Sequence, residues 1–458
     1  MRPRGAAKAV LVGLLTGGLI VAVSTPGHAR PHPRAEKATL AARLAPPVVT
    51  VGEPAALVSK LTPAQADRPL AVQRLTDGAW TPVADTTADG SGRNVLPLDT
   101  SAAGPQVLRV VAVPWHGKPQ VTSPTVTLKV SSPTACSPKV ALVDPEATAA
   151  ARCLAARLDR WQGAGLMGVG QELNMSTLPY QAPLTALGDR RVSVVGFDLM
   201  ELGKTKTYEF PFFDQAFSDL VASAQSGAVL TASWHTPNPH TGAADSYNDR
   251  SWHQLGAVLQ DTPEAAAFWA DYDEQLAVLH AFQDAGVAVV FRPLHEANGD
   301  WFWWGRPTAS TYKAVWREMQ QRARDAGVHN VLWAYSFAAS SRKGIAAPQT
   351  LLPAKVDVAG IDSYWPSTGS HRSQAPSMDG YAEVAKKVRR MAFTEIGPYA
   401  DKKQVWSAAN VTATARAQAR PPVWALLWVD DAAGAKQISS LKGGLSWLDS
   451  CPFGFCTL

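Results

Sequence analysis

The sequence predicts an α/β fold: a (β/α)8 TIM barrel preceded by a small immunoglobulin-like β-sandwich. Three observations predict it. Between Pro47 and Val130, short Val-, Leu- and Thr-rich runs are separated by turn signals. Beyond residue 135, eight apolar runs alternate with long amphipathic stretches. Within that second region the polar, titratable residues collect at the C-terminal ends of the apolar runs, where barrel enzymes build their sites.

Residues 1–29 have the pattern of a secretory signal peptide. Arg2, Arg4 and Lys8 precede an apolar run from Ala9 to Val23, and Gly27-His28-Ala29 supplies a small-x-small cleavage site. The run is too short and too glycine-rich for a spanning helix, so a secreted, extracellular protein without stable membrane insertion is expected. Residues 30–45, rich in Ala, Arg and Pro, are expected to form a flexible lead. The sandwich is assigned to 46–131, with strands such as Ala55–Ser59, Leu70–Arg74, Gln106–Val113 and Thr125–Val130. Turns such as Thr76-Asp-Gly78 and Ala88-Asp-Gly-Ser-Gly92 lie between them. Its role is open between a stabilising spacer and a sugar-binding module. Of the 16 tryptophans it holds only Trp80 and Trp115, which disfavours the latter.

Ser131-Ser-Pro-Thr134 is a linker, and the barrel is assigned to 135–458. Its strands are predicted at Leu166–Gln171, Val192–Asp198, Val229–His235, Val287–Phe291, Val331–Ser336, Val356–Tyr364, Met391–Glu395 and Val423–Val429. Helices are predicted at Ala147–Trp161, Glu264–Ala285 and Thr311–Ala326, among others.

The mature chain's net charge is small: +5 falls to +2 when Arg2, Arg4 and Lys8 leave with the signal (5 − 3 = 2). Scattered Lys and Arg in a nearly neutral protein argue against a nucleic-acid partner. Cys136, Cys153, Cys451 and Cys456 allow three disulfide connectivities; the local pairs 136–153 and 451–456 are expected. Neither pair has a histidine at zinc-ligand spacing, so no metal site is expected. A monomer is expected.

The strand ends carry the chemistry. The third delivers Ser233-Trp-His235, the fourth Arg292 and His295-Glu296, the sixth Asp362-Ser-Tyr364-Trp365, the seventh Phe393-Thr-Glu395 and the eighth Trp428 with Asp430. After the fourth, Trp301, Trp303 and Trp304 fall within four residues. Two carboxylates, Glu296 and Glu395, top two strands of one barrel beside flat indoles, which suits glycosidic bond cleavage. One acid protonates the leaving oxygen and a second carboxylate attacks or activates water. Asp198 is expected to support the site by bonding a loop or His235. Gln171 and Glu172 are open between substrate contact and support. His240, His253 and His280 are expected at the surface or in packing, and Trp252, Trp269 and Trp316 in the core. Trp303 and Trp304 are placed beneath the loop.

The run Arg292-Pro-Leu-His-Glu-Ala-Asn-Gly-Asp-Trp-Phe-Trp-Trp-Gly305 closely resembles the acid/base motif of glycoside hydrolase family 26, the endo-β-mannanase family. Val195–Met200, Ser233-Trp-His235, Gly360–Trp365 and Thr394–Gly397 resemble its other signatures, in order, and the resemblance covers roughly Cys136 to Trp447. It implies a retaining hydrolase of β-1,4-mannan that needs no metal or organic cofactor, with Glu296 as general acid/base and Glu395 as nucleophile. It further implies that His235, His295, Trp301, Tyr364 and Trp428 meet the substrate, Tyr364 also orienting the nucleophile, with Arg292 and Asn298 in support. Two positions depart from the family's pattern. Ile396 follows the nucleophile where an aromatic is common. Val429 and Asp430 follow Trp428 where some mannanases carry an arginine for a more distant sugar. A mixed-linkage β-glucanase or β-1,3-xylanase on the same scaffold is the rival activity; a non-catalytic glycan-binding protein is the rival of another class.

Overall fold

The computed structural model describes residues 37–132, 136–204, 212–243, 246, 249, 251–340, 344–365, 375–399, 401 and 404–458. The expected signal peptide, residues 30–36 of the lead and residues 133–134 of the linker lie outside them.

The first described region is all β. One antiparallel sheet holds Thr39–Ala45, Ala55–Thr62 and Arg93–Leu98 in that order. The other runs Val48–Thr50, Val126–Ser131, Gly104–Ala112, Pro69–Thr76, Ala79–Thr87, with Val121–Thr122 added beside Gly104–Ala112. Leu40, Leu57, Leu61, Leu70, Val72, Leu108 and Val110 form the buried core of this region. Part of the expected lead is therefore a strand. Thr39–Ala45 pairs along its whole length with Ala55–Thr62, and Leu40 and Ala45 are buried. Alanine carries little β signal of its own, so this edge strand is specified by the partner it pairs with and is easily missed in sequence.

The second region is a closed parallel barrel. Its eight strands are Leu166–Glu172, Val194–Asp198, Val229–Trp234, Val289–Pro293, Val331–Ala338, Val358–Trp365, Met391–Pro398 and Trp424–Leu427. Each pairs with the next, and the first closes the ring on both the second and the eighth. All eight fall where the apolar runs predict them, with ends moved by a few residues. The long helices Ala149–Gly163, Pro263–Asp284 and Ala309–Asp325 likewise match. Thr148, Thr262 and Thr308 cap them, each hydroxyl accepting an N–H from the first turn. A short strand, Phe455–Thr457, pairs antiparallel with the start of the first barrel strand.

Inward positions are filled by Val194, Val290, Leu332, Ala334, Val358, Ala392, Trp424 and Leu426 in one buried cluster. Residues between them, such as Phe197, Phe291, Trp333, Ile361 and Phe393, belong to a second cluster with the helices. Trp252, Trp269 and Trp316 are buried in that second cluster. This alternation decides which strand-end side chains can reach the cleft.

The β region meets the barrel at the end opposite the strands' C-termini. Arg160, in the last turn of the helix that leads into the first strand, donates to Glu53 at 2.8 Å, and Arg157 lies 3.8 Å from the same carboxylate. Arg93 donates to the carbonyl of Asp449. The cysteines form the two local disulfides, Cys136–Cys153 and Cys451–Cys456. No helix among the described residues is long and apolar enough to cross a membrane.

Candidate active site

The site is assembled at the C-terminal ends of the strands. Arg292 points inward from the fourth strand, fully buried. It donates to Glu395 at 2.7 Å through one guanidinium nitrogen and to Asp362 at 3.1 Å through another. Burial alone would lower its pKa; Glu395 and Asp362 outweigh that and raise it. The other oxygen of Glu395 accepts the hydroxyl of Tyr364 at 2.5 Å. That phenol is pushed well up, by burial and then by the charge of Glu395, so it remains a donor.

A register shift aims the seventh strand's acid. Ile361 pairs with Phe393, but Asp362 pairs with Glu395, so Thr394 is an extra residue. Strict alternation would send Glu395 to the same side as Phe393, toward the helices. The bulge turns it into the cleft. Thr394 itself is buried, its hydroxyl 2.9 Å from that of Ser336, which in turn donates to Asp362 at 2.6 Å.

Beyond the fourth strand the chain makes a tight turn in which both Leu294 (φ 47°) and Glu296 (φ 53°) are left-handed. Such conformations cost about 1–3 kcal/mol in a residue with a side chain and persist where the surroundings impose them. Here the N–H of Glu296 donates to the carbonyl of Ser336 at 3.0 Å. Asn298 locks the loop by donating to the carbonyls of Ala338 and Ala346 and accepting the N–H of Ala338. Trp301 donates its indole N–H to Glu296. The indole lies across Gly299, where a Cβ would fall 2.2 Å from the ring, so no larger residue fits beneath it. Trp303 and Trp304 are fully buried, donating to the carbonyls of Thr236 and His295 at 3.0 and 2.8 Å. They hold the loop from below.

One carboxylate oxygen each from Glu296, Asp362 and Glu395 lie within 4.8 Å of one another. Three acids at this spacing could hold a cation, but the guanidinium of Arg292 already bonds two of them. The pKa of Glu296 is driven well above the ordinary carboxylate range, first by burial, then by Asp362 and Glu395. Asp362 is raised to about 7, by burial and then Glu395, with Arg292 opposing.

On the opposite wall, Asp198 accepts three bonds through one oxygen: from Ser233 at 2.7 Å, from the N–H of His235 at 3.0 Å and from the His235 ring Nδ1 at 2.8 Å. Its other oxygen caps the N–H groups of Met200 and Glu201. Burial would lower the pKa of His235, but Asp198 overrides it and the net shift is upward. His295, ring to ring with His235 at 4.6 Å, is pushed well down by burial, Arg292 and His235, and is neutral. Trp428 stands 6.2 Å from the His235 ring.

His235, Arg292, His295, Glu296, Tyr364, Glu395 and Trp428 thus lie in this one cluster, with Asp198 directly behind it. Gln171 is fully buried, donating to the carbonyls of Leu427 and Trp428 and accepting the N–H of Ile438. Glu172 is buried with Oε1 unpartnered. Its pKa is raised well up by burial, then by Glu395 and Asp198 against Arg292. His240 and His280 sit at the surface against Glu264 and Asp284, and His253 faces the carbonyl of Gly305. Sequence reasoning missed Asp362 as a site residue, along with Ser336 and Thr394. The first stands at a noted strand end; the other two carry no signal until the bulge is seen.

The glycosyl hydrolase family 26 profile matches residues 143–446, about two thirds of the chain and nearly the whole barrel. The chain belongs to this family. It is 29% identical over 197 residues to mannan endo-1,4-beta-mannosidase A and B of Caldalkalibacillus mannanilyticus, an alignment covering 39% of this chain and 36% of the relative. It is 25% identical over 280 residues to a mannan endo-1,4-beta-mannosidase of Thermothelomyces thermophilus, covering 58% and 55%. The alignments therefore span about a third to a half of these curated relatives. Among solved structures, the YdhT protein of Bacillus subtilis superposes with a TM-score of 0.56 at 19% identity, covering 69% of this chain and 95% of that one. That likeness speaks for the fold of this family 26 barrel.

Proposed function

We propose that the protein is a secreted, retaining glycoside hydrolase that cleaves β-1,4-mannosidic linkages in mannan-type polysaccharide. The observation that carries the mechanism is the approach of Glu296 and Glu395, with oxygens within 4.8 Å. Carboxyl groups ~5–5.5 Å apart suit attack by one of them, whereas inversion needs ~6.5–9.5 Å to admit a water. Membership of the family and relatives that act on mannan support the substrate. The two disulfides and the N-terminal signal pattern support export.

The residues take separate roles. Glu395, fixed at both oxygens, attacks the anomeric carbon; its new C–O bond replaces the glycosidic one. Glu296, buried and kept protonated, gives its proton to the departing oxygen. It then takes a proton from water, whose oxygen displaces Glu395 and releases the sugar. His235, with Nδ1 committed to Asp198, offers its other nitrogen to a hydroxyl of the cleaved sugar. His295 lines the same subsite, Trp428 supplies a stacking face and Trp301 flanks the leaving group. The chemistry needs no cofactor and no second subunit.

The test is to incubate the purified protein with mannan, galactomannan, lichenan and xylan and to follow the first-formed anomer by NMR. Release from mannan with the β-anomer first is the expected result. No release from any polymer sinks the enzyme, lichenan or xylan alone sinks the mannan assignment, and the α-anomer first sinks retention.

A further inference from the structure

After the eighth strand the chain runs Trp428-Val-Asp-Asp-Ala-Ala-Gly-Ala-Lys436, and this loop is tightly built. One oxygen of Asp430 accepts the N–H groups of Lys436 and Gln437 at 2.7 and 2.9 Å, and its other oxygen accepts the hydroxyl of Ser440. Gln171 of the first strand accepts the N–H of Ile438 at 2.9 Å. The backbone is therefore pinned on the C-terminal side of Lys436 by two strands.

What the loop delivers is a buried ammonium. The Lys436 side chain is only 6% exposed, and its ion-pair partner is Asp431, itself 44% exposed. Burying a cation is costly unless its surroundings answer the charge. Two aromatic rings stand beside it as well. Nζ lies 5.7 Å from the ring centre of Tyr364 and 5.3 Å from that of Tyr399, and the two rings meet edge-on at 6.4 Å. Within about 6 Å of a ring face a cation is held by the ring's quadrupole. Tyr364 is the residue whose hydroxyl fixes Glu395.

We propose that Lys436 is a positioning residue for the nucleophile, holding the Tyr364 ring and, through its hydroxyl, the carboxylate of Glu395. The path runs from the eighth-strand loop, through a sixth-strand ring, to a seventh-strand acid. The hydroxyl sits at the far end of the side chain, so a small tilt of the whole ring about the Cα–Cβ bond moves it off Glu395. Lys436 and Tyr399 clamp that ring by contacts that depend on the lysine's charge and not on its bulk. The inference rests on the assignment of Glu395 as nucleophile.

Lys436→Met fills similar space without charge, and Lys436→Arg keeps a cation that also binds ring faces. With a mannan oligosaccharide, Lys436→Met is expected to lower kcat about 3- to 30-fold, the worth of one cation–π contact. KM should stay within about twofold, because the loss falls on the reacting geometry and not on uniform binding. Lys436→Arg should restore most of kcat. Unchanged kcat in Lys436→Met overturns the inference. So does a rise in KM alone, which makes Lys436 a sugar ligand. If thermal melting shows Lys436→Met unfolded, Asp431→Asn decides: the ammonium stays on the rings, and kcat should hold within about threefold. A larger loss there overturns the inference, because the ion pair would then be what matters. A wild type that cleaves no β-glycan defeats the functional reading itself, whereas a cleaving wild type with an indifferent Lys436→Met defeats only this step.

Discussion

Asp362 lies in register with Glu395, although Ile361, the residue before it, pairs with Phe393, two residues before Glu395. One inserted threonine therefore brings two acids side by side, where a single guanidinium bonds both. The arrangement gives Asp362 influence over an acid it does not touch through a hydrogen bond, Glu296, because its charge helps hold that group's proton.

That influence has a sign. The general acid proposed in Glu296 works while protonated, so kcat/KM is expected to fall on the alkaline side as Glu296 loses its proton. Asp362→Asn keeps the shape but removes a negative charge, so the proton leaves at lower pH and the alkaline limb moves down. A limb that stays in place or moves up in the pH–rate profile contradicts this account.

Glu172 makes a different pH dependence. Its folded-state pKa is raised well above the ordinary carboxylate value by burial, ahead of Glu395 and Asp198. The stability associated with the neutral acid is full below its unfolded pKa and declines as pH rises toward the folded one. Glu172→Gln lacks this decline. Its Tm relative to wild type should climb between pH 4 and pH 8, and a constant difference would show that Glu172 is ionised in the fold.

Gly299 tests the indole. Gly299→Ala puts a carbon within 2.2 Å of the Trp301 ring, which must then leave Glu296. A drop in kcat/KM of about 10- to 100-fold is expected, since ångström-scale misplacement at the reacting centre has that effect. Normal kinetics would mean the ring has room that the structure does not give it.

Glu53 tests the β region. Glu53→Ala leaves Arg160 and the nearby Arg157 without their carboxylate, at a cost on the order of 2 kcal/mol, between the exposed and fully buried cases. Because the contact lies at the far end of the barrel, Tm should fall while kcat/KM is preserved. A matching loss of kcat/KM would tie the two ends together.

Much of the fold and site is legible from sequence because barrel chemistry obeys position. Apolar runs mark the strands, and the residues just past each run are the ones the cleft receives; Arg292, Glu296, Tyr364 and Glu395 are found that way. Features that depend on a second strand are not. The bulge at Thr394 exists only as a mismatch between neighbours, and Thr39–Ala45 is a strand only because Ala55–Thr62 is beside it. Lys436 is invisible for the same reason: a lone lysine in a polar loop has the signature of a solvated one until the rings beneath it are located.

The left-handed backbone at Glu296 sets activity against durability at a single residue. A side chain there is tolerated poorly, and a buried acid more poorly still, yet the proposed reaction needs both. Glycine would be at ease in that conformation and would carry no charge to bury. Glu296→Gly should therefore melt at a higher temperature than the wild type while losing hydrolysis, as is expected where a working site is held against the preference of the fold. A barrel selected only for endurance would discard its own acid.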